Sequence, residues 1–222
     1  MRRILVLAVL AALAVPAAAS ARVVQFSGRT WYVRNSPQLS GPGPNRFSDA
    51  ANSVWVDATS ALHLTIHRVK GKWQSSEVFS DPLGRGTYTW SVDSGVNALD
   101  RNVVLGLFSY LDDSHEIDVE IARWGNAADP TNAQFVVQPY LHTGNLFRFT
   151  TPSGPTTYGF TWGASTVDFT GPSASWTYSG PDVPQPAGER VHMNLWLDRG
   201  NPPSDGRDVE VVLRSFSFTP AP

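Results

Sequence analysis

Period-two alternation of apolar and polar residues runs through the chain and constrains its fold more than any other feature. Every second residue is apolar in LHLTIH at 62–67 and again in VHMNLWLD at 191–198. Successive side chains of a β-strand point to opposite faces, so this period is typical of strands. Gly- and Pro-rich segments such as SGPGPN at 40–45 and NPPSDG at 201–206 separate the alternating segments. Many short strands joined by such turns predict an all-β sandwich or barrel. We expect strands at 53–57, 62–67, 76–80, 87–92, 103–111, 116–122, 133–141, 146–151, 157–162, 166–170, 174–178, 191–198 and 208–218.

The first 21 residues are typical of a secretory signal peptide. Arg2 and Arg3 precede an uninterrupted apolar run, and Ala19-Ser20-Ala21 forms an A-x-A cleavage site. An uncleaved membrane anchor is the alternative, but the apolar run is short for a membrane span and the cleavage site is well placed. We therefore expect a single domain at 22–222 that is secreted or periplasmic and has no membrane contact after cleavage.

Composition narrows the range of partners and cofactors. Cysteine is absent, so the exported domain depends on its core rather than on disulfides. The formal net charge is −2 and no basic run occurs, which argues against nucleic acid as a partner. We expect a monomer without a cofactor. A structural calcium ion stays open, although no EF-hand-like spacing supports it.

The segment SHEIDVEI at 114–121 places three carboxylates at alternate positions. On a strand, Glu116, Asp118 and Glu120 project from one face and form what we call the acidic row, whereas the apolar residues between them face the core. The two glutamates lie about 13–14 Å apart along the strand. If their side chains lean toward each other by about 4 Å each, a gap of about 5–6 Å is left. That gap is close to the roughly 5–5.5 Å between the two carboxyls of retaining glycosidases.

Crowding of three acids also affects their ionisation. Like charges disfavour joint ionisation, so the acidic row should hold a proton near neutral pH. One protonated acid and one ionised nucleophile are what retaining sugar hydrolysis requires. A solvated strand face and a calcium site are the two alternatives that the pattern alone leaves open.

HEIDVE at 115–120 resembles the E-[IL]-D-[IV]-E signature of glycoside hydrolase family 16, which includes the bacterial lichenases and their xyloglucan-transferring relatives. The resemblance extends over roughly residues 45–218, because further blocks occur in family order. Order and spacing together make it more specific than a single motif would be. The other blocks are SSEVFSDPLGRGTYTWSV, LGLFSYLDD, TNAQFVVQPYLHTG, TYGFTW and GERVHMNLW.

The resemblance implies a jelly-roll sandwich of two curved antiparallel sheets, as in concanavalin A-like lectins and glucanases, with a cleft on the concave face. It implies an enzyme that cleaves or transfers internal β-linkages of a polysaccharide, such as a β-glucan, with retention. Within the acidic row, Glu116 would be the nucleophile, Glu120 the acid/base and Asp118 the residue that orients the nucleophile. The resemblance also implies sugar-binding roles for Asn45, Glu77, Phe108, Tyr110, Asn194 and Trp196.

Several positions depart from the family pattern. The family commonly has Arg two residues after the glutamate that corresponds to Glu77, where this chain has Phe79. The strand after the acidic row commonly offers Asn and Tyr, where this chain has Val136 and Gln138, and we assign Gln138 to substrate binding. Trp124, just after the acidic row, is a candidate for an aromatic ring that stacks on a sugar in place of one that the family has and this chain lacks. Packing of Trp124 in the core is an equally good alternative. These departures leave the identity of the polysaccharide open.

Two other functions stand as alternatives to an enzyme. One is a non-catalytic, lectin-like carbohydrate-binding domain on the same sandwich. The other is an exported structural or interaction protein whose acidic row binds a cation. Fold alone does not decide among them. The intact acidic row favours the enzyme, because a lectin has no use for three crowded acids.

Overall fold

The computed structural model describes residues 21–222 of the chain. The predicted signal peptide lies outside these residues, apart from Ala21. Within the described range the helical segments are two short 3-10 turns at Val96–Ala98 and Asp198–Gly200, and neither is long enough to cross a membrane. The strands are β1 (Val23–Phe26), β2 (Arg29–Val33), β3 (Ser36–Ser40), β4 (Asn45–Phe47), β5 (Val54–Val56), β6 (Leu62–Val69), β7 (Lys72–Gln74), β8 (Ser76–Pro82), β9 (Gly86–Val92), β10 (Val103–Tyr110), β11 (Glu116–Ile121), β12 (Ala133–Val137), β13 (Leu146–Phe149), β14 (Thr156–Trp162), β15 (Val167–Thr170), β16 (Ser175–Tyr178), β17 (Arg190–Leu197) and β18 (Val209–Pro220).

Two large antiparallel sheets pack against each other. The sheet that we call the cleft sheet has the strand order β1-β2-β8-β17-β10-β11-β12-β13. The outer sheet has the order β16-β15-β14-β9-β18-β6-β5, with β7 paired to β6. Strands β3 and β4 form a separate hairpin. This arrangement confirms the predicted all-β sandwich.

The apolar residues of the alternating segments fill the space between the two sheets. On β17, Val191, Met193 and Leu195 are fully buried there, and on β11 so are Ile117 and Val119. Burying one such side chain contributes about 1.5–3 kcal/mol. A slip of one residue would turn all of these side chains to the other face, so burial fixes the register. Large aromatic side chains complete the core: Trp31, Tyr88, Trp90, Phe135, Tyr158, Phe160 and Trp162.

Candidate active site

A cleft of about 660 Å³ lies on the face of the cleft sheet that points away from the core. Its size falls within the roughly 300–1,000 Å³ of small-ligand sites. The central strands β8, β17, β10 and β11 form its floor, because their core-facing residues leave the alternate positions to this side. The predicted site residues that line it are Glu77, Phe108, Tyr110, Glu116, Asp118, Glu120, Asn194 and Trp196.

One line of paired residues across four strands connects Glu120 to Glu77. Glu120 pairs with Gly106, and Gly106 pairs with Asn194. Asn194 pairs in turn with Glu77. A Cβ at position 106 would lie 2.5 Å from Oδ1 of Asn194, so the glycine leaves the space that this amide occupies. The same oxygen is buried and has no hydrogen-bond partner within residues 21–222, which makes it a ready acceptor on the cleft floor.

Burial raises the pKa of every carboxyl in the acidic row. It raises the pKa of Glu116 from the usual 4.5 to about 8 and the pKa of Glu120 to about 7. Burial, followed by the charges of Glu116 and Glu120, raises the pKa of Asp118 well above 3.8. Hydrogen bonding between Asp118 and Glu116 favours a proton on Asp118 and a charge on Glu116. The acidic row therefore holds protons at neutral pH, and the main cause is burial rather than the crowding of charges from which we predicted it.

Gln134 on β12 binds the carboxyl of Glu120. Its Nε2 donates to Oε2 of Glu120 at 2.6 Å. Its Oε1 accepts from Nε1 of Trp124 and from Nη1 of Arg148, both at 3.1 Å. The charge of Arg148 lowers the pKa of Glu120 and partly offsets the effect of burial. Neither Gln134 nor Arg148 was predicted from the sequence. Alternation along β12 nevertheless places position 134 on the face of that strand that points to the cleft.

Gln138 has a positioning role in the structure. Its Nε2 donates to Oδ2 of Asp118 at 3.0 Å, and its Oε1 accepts from the backbone N–H of Tyr140 at 2.8 Å. Both ends of the amide are therefore engaged within the protein. The side chain holds Asp118 from beside the cleft, and this contact replaces the direct contact with substrate that we expected.

Glu77 is buried between the guanidinium of Arg34 and the imidazole of His192, neither of which was assigned a role from the sequence. Nη1 of Arg34 donates to one carboxylate oxygen at 2.8 Å, and Nδ1 of His192 lies 2.8 Å from the other. Burial alone favours the neutral acid. The hydrogen bond and charge of His192, followed by the charge of Arg34, outweigh burial and lower the pKa of Glu77. Glu77 is thus an ionised acceptor at the cleft, whereas the acidic row is held partly protonated.

A stack of aromatic rings crosses the cleft sheet beside Glu77. Tyr32 stacks on Phe79 and Phe79 stacks on His192, each with 5.5 Å between ring centroids. His192 stacks on Phe108 at 5.0 Å, and Phe108 pairs with Asp118 in the strand register. Neighbouring strands are about 4.8 Å apart, so these nearly parallel rings stand upright and turn their edges to the cleft. Phe79, at the position where the family commonly has Arg, completes this stack.

Two tryptophans lie beyond Glu120 at one end of the cleft. Trp196 packs with Phe47, Val104 and Ala122 and is 8% exposed, yet it still lines the cleft. The ring of Trp124 lies 5.9 Å from that of Trp196 at an angle of 59°. Trp124 borders an adjacent pocket and not the cleft itself.

The structure corrects the expectation that Asn45 binds substrate. Asn45 is 3% exposed, and its amide nitrogen donates to the backbone oxygens of Pro42 and Leu197, both at 2.9 Å. Its amide oxygen accepts from Oγ of Ser75 at 2.8 Å and from the N–H of Leu197 at 3.1 Å. The hydrogen-bonding capacity of the side chain is therefore used to fasten the segment before β4 to the end of β17.

Within residues 21–222 no group of three or more His, Cys, Asp or Glu side chains has the arrangement of a metal site.

The raised pKa of Glu116 predicts that this residue destabilises the fold at alkaline pH. A carboxyl whose pKa is raised in the folded state contributes stability below about pH 4.5 and loses it as the pH rises through about 8. Glu116→Gln should therefore melt like the wild type near pH 4. Near pH 9 it should be more stable by about 2–4 kcal/mol, or about 5–10 °C. Calorimetry across this range, with the exposed Glu210→Gln as the control, measures the difference. Equal melting temperatures at both pH values would contradict the raised pKa.

The fold is shared with solved structures of β-glucanases. A β-glucanase of Bacillus licheniformis superposes with a TM-score of 0.68 at 18% identity, over 86% of this chain and 92% of that chain. A glycoside hydrolase family 16 endo-glucanase of Bacteroides ovatus superposes with a TM-score of 0.64 at 14% identity, over 85% and 94%. A protein of Mycobacterium tuberculosis described as an immunostimulatory antigen and pseudo β-1,3-glucanase superposes with a TM-score of 0.66 at 21% identity, over 86% and 91%. No protein-family model and no curated protein matches the sequence.

These likenesses define the fold as that of the glycoside hydrolase β-glucanases. The predicted jelly-roll sandwich and the resemblance to family 16 that HEIDVE carried are confirmed at the level of the fold. The agreement covers 85–90% of the chain.

Proposed function

We propose that the protein is a retaining, endo-acting glycoside hydrolase that cleaves or transfers internal β-linkages of a polysaccharide such as a β-glucan. The observation that carries this proposal is the acidic row, which lies buried on the floor of an open cleft with protons held at neutral pH. Keeping three acids in this state costs stability above their ordinary pKa, as follows from the raised pKa of Glu116. Such a cost is typical of groups that serve chemistry.

The acidic row supplies both groups that retaining hydrolysis needs. Glu116 attacks the anomeric carbon and forms a covalent glycosyl ester, while Glu120 transfers its proton to the leaving oxygen. Glu120 then takes a proton from water, which attacks the ester and releases the sugar with its original configuration. Asp118, held by Gln138, keeps its proton and donates a hydrogen bond to Glu116, which favours the ionised nucleophile.

Substrate sets the order of ionisation within the acidic row. In the free protein burial raises the pKa of both glutamates, to about 7 for Glu120 and to about 8 for Glu116, so both acids hold protons near neutral pH. A glycosidic oxygen that accepts a hydrogen bond from Glu120 favours the protonated form of that acid. Since like charges disfavour joint ionisation, the charge then resides on Glu116, where the attack requires it.

The cleft offers acceptors and an aromatic ring to the sugar chain. The ionised carboxylate of Glu77 and the unpartnered Oδ1 of Asn194 are acceptors for sugar hydroxyls. The ring of Tyr110 is turned by 85° from that of His192 and by 72° from that of Phe108. The Tyr110 ring is therefore not part of the upright stack. Its face is better placed than the faces of the stacked rings to lie against a sugar ring.

A lectin-like, non-catalytic function is the second candidate. The M. tuberculosis protein with this fold is described as a pseudo β-1,3-glucanase, so the fold occurs in a protein distinguished from active glucanases. In that case the cleft would bind a glycan without cleaving it. The proposed site of action is outside the cytoplasm in either case, because the first 21 residues have the features of a cleavable signal peptide.

Reducing-end release by the purified protein tests the proposal. The panel should include β-1,3-glucan, mixed-linkage β-1,3-1,4-glucan, xyloglucan and a β-linked galactan. We expect release from at least one β-glucan, and NMR of the first product should show the β-anomer. Glu116→Gln is the matched control and should release none. Binding to a glycan without release of reducing ends would favour the lectin, and an α-anomer as first product would contradict retention.

A further inference from the structure

A second pocket, which we call the distal pocket, adjoins the end of the cleft. It has a volume of about 680 Å³, and its walls include Asn102, Trp124, Gly125, Asp198 and Arg199. It meets the cleft at the two tryptophans, because Trp124 borders the distal pocket and its ring contacts Trp196, which lines the cleft. A chain that extends past Trp196 would enter this space.

Asp198 lies in the wall of the distal pocket, and one of its carboxylate oxygens lacks a hydrogen-bond donor. The residue is 6% exposed, and its Oδ2 has no hydrogen-bond partner in the described part of the chain. A Cβ at position 125 would lie 3.3 Å from this oxygen and 3.9 Å from Oδ1 of Asn102. Two oxygen acceptors therefore converge on the space that Gly125 leaves open. A buried carboxylate oxygen without a donor is costly unless a ligand supplies one.

Two tight turns form part of the wall of the distal pocket. Trp124 and Arg199 both have a φ of 52°, in the left-handed region that non-glycine residues rarely adopt. Each begins a two-residue turn with the glycine that follows it, the same geometry that joins β1 to β2. Both residues belong to the walls of the distal pocket, and Gly125 with a φ of 76° follows Trp124 directly.

The surrounding charges select a neutral, hydroxyl-rich ligand. Nε of Arg199 lies 4.0 Å from Oδ1 of Asp198, and Arg101 is a further wall residue. Two guanidinium groups disfavour a metal cation, whereas their N–H groups suit sugar oxygens. We infer that the distal pocket binds a sugar unit of a long glycan chain, with Asp198 and Asn102 accepting bonds from its hydroxyls and Trp124 beside its ring. This inference rests on the proposed function and extends its substrate to chains that reach past Trp196.

Chain-length dependence of binding tests the distal pocket separately from catalysis. In a Glu116→Gln background, calorimetry should follow binding of laminari-oligosaccharides and mixed-linkage gluco-oligosaccharides from the disaccharide to the heptasaccharide. We expect affinity to rise when the chain becomes long enough to pass Trp196. Asp198→Asn should lower the affinity for these long chains by about tenfold to hundredfold and leave the affinity for short chains unchanged. Asp208→Asn, on the surface, is the matched control.

A second variant protects the test from a folding defect. Arg199→Gly suits the left-handed backbone and removes a side chain that is 80% exposed, so it should fold and still weaken long chains selectively. An unchanged length dependence in both variants would overturn the inference, as would a calcium-dependent rise in melting temperature that Asp198→Asn abolishes. Length-dependent binding through Asp198 by a wild type that releases no reducing ends would uphold the distal pocket while refuting hydrolysis.

Discussion

Glu116→Ala should lower turnover of every β-glycan and every aryl glycoside by about 10⁵–10⁶-fold, as loss of a catalytic nucleophile does elsewhere. Glu116 is the member of the acidic row that Asp118 polarises, and it has no cationic partner that would hold it in an ion pair within residues 21–222. No other carboxyl can take over its role, because Asp118 holds its proton and Glu120 is fixed by Gln134. The expected result is loss of turnover with binding retained.

Single-turnover kinetics and calorimetry with one oligosaccharide measure the two effects side by side. Glu210→Ala is the matched control, because this glutamate is half-exposed on the outer sheet and contacts His63. That variant should keep the wild-type rate. If Glu116→Ala also kept it, the acidic row would be a solvated face and the proposed mechanism would be wrong.

The positions of most main strands along the chain could be predicted, because burial of one face makes every second residue of a strand apolar. The strands at the start of the chain were not predicted. Strands β1 and β2 are joined at Ser27 and Gly28, whose φ values are 51° and 71°, as a two-residue hairpin turn requires. The dipeptide Ser-Gly between VVQF and RTWYV carries that signal. Strands β3, β4 and β7 were missed because SPQLS, NRF and KWQ contain too few apolar residues to show a period.

The acidic row could be predicted for a local reason, and its partners could not. Glu116, Asp118 and Glu120 share a face because they are alternate residues of one strand. Glu77, by contrast, meets Arg34 across 43 residues and His192 across 115. Such pairs depend on which strands become neighbours, and alternation alone does not fix that.

The error at Asn45 has the same physical origin. Its amide is bound by the backbone of Leu197, 152 residues later. Hydrogen-bond competition of this kind decides whether a polar side chain faces a ligand or the protein. His192 could have been placed in the cleft from the sequence. It alternates with the core-facing residues of β17 and therefore lies on the same face as Asn194 and Trp196.

Glu120→Ala should separate the two steps of the reaction, because Glu120 acts as an acid in the first and as a base in the second. On a β-glucan, whose leaving oxygen needs a proton, the turnover number should fall by about 10²–10⁴-fold. With a dinitrophenyl β-glycoside the leaving group departs without a proton, so the first step should remain fast and the glycosyl-enzyme should accumulate. A burst of dinitrophenolate followed by slow turnover is the expected kinetic signature.

Azide then identifies which face of the sugar each glutamate serves. In Glu120→Ala the shortened side chain leaves space beside Gln134, and azide can attack the glycosyl-enzyme without base assistance. Attack on the ester to Glu116 comes from the β face, so the product should be a β-glycosyl azide and turnover should recover with azide concentration.

Glu116→Ala is the matched comparison: it forms no glycosyl-enzyme, and azide that replaces its carboxylate should give an α-glycosyl azide instead. An α-product from Glu120→Ala together with a β-product from Glu116→Ala would mean that the two roles are exchanged.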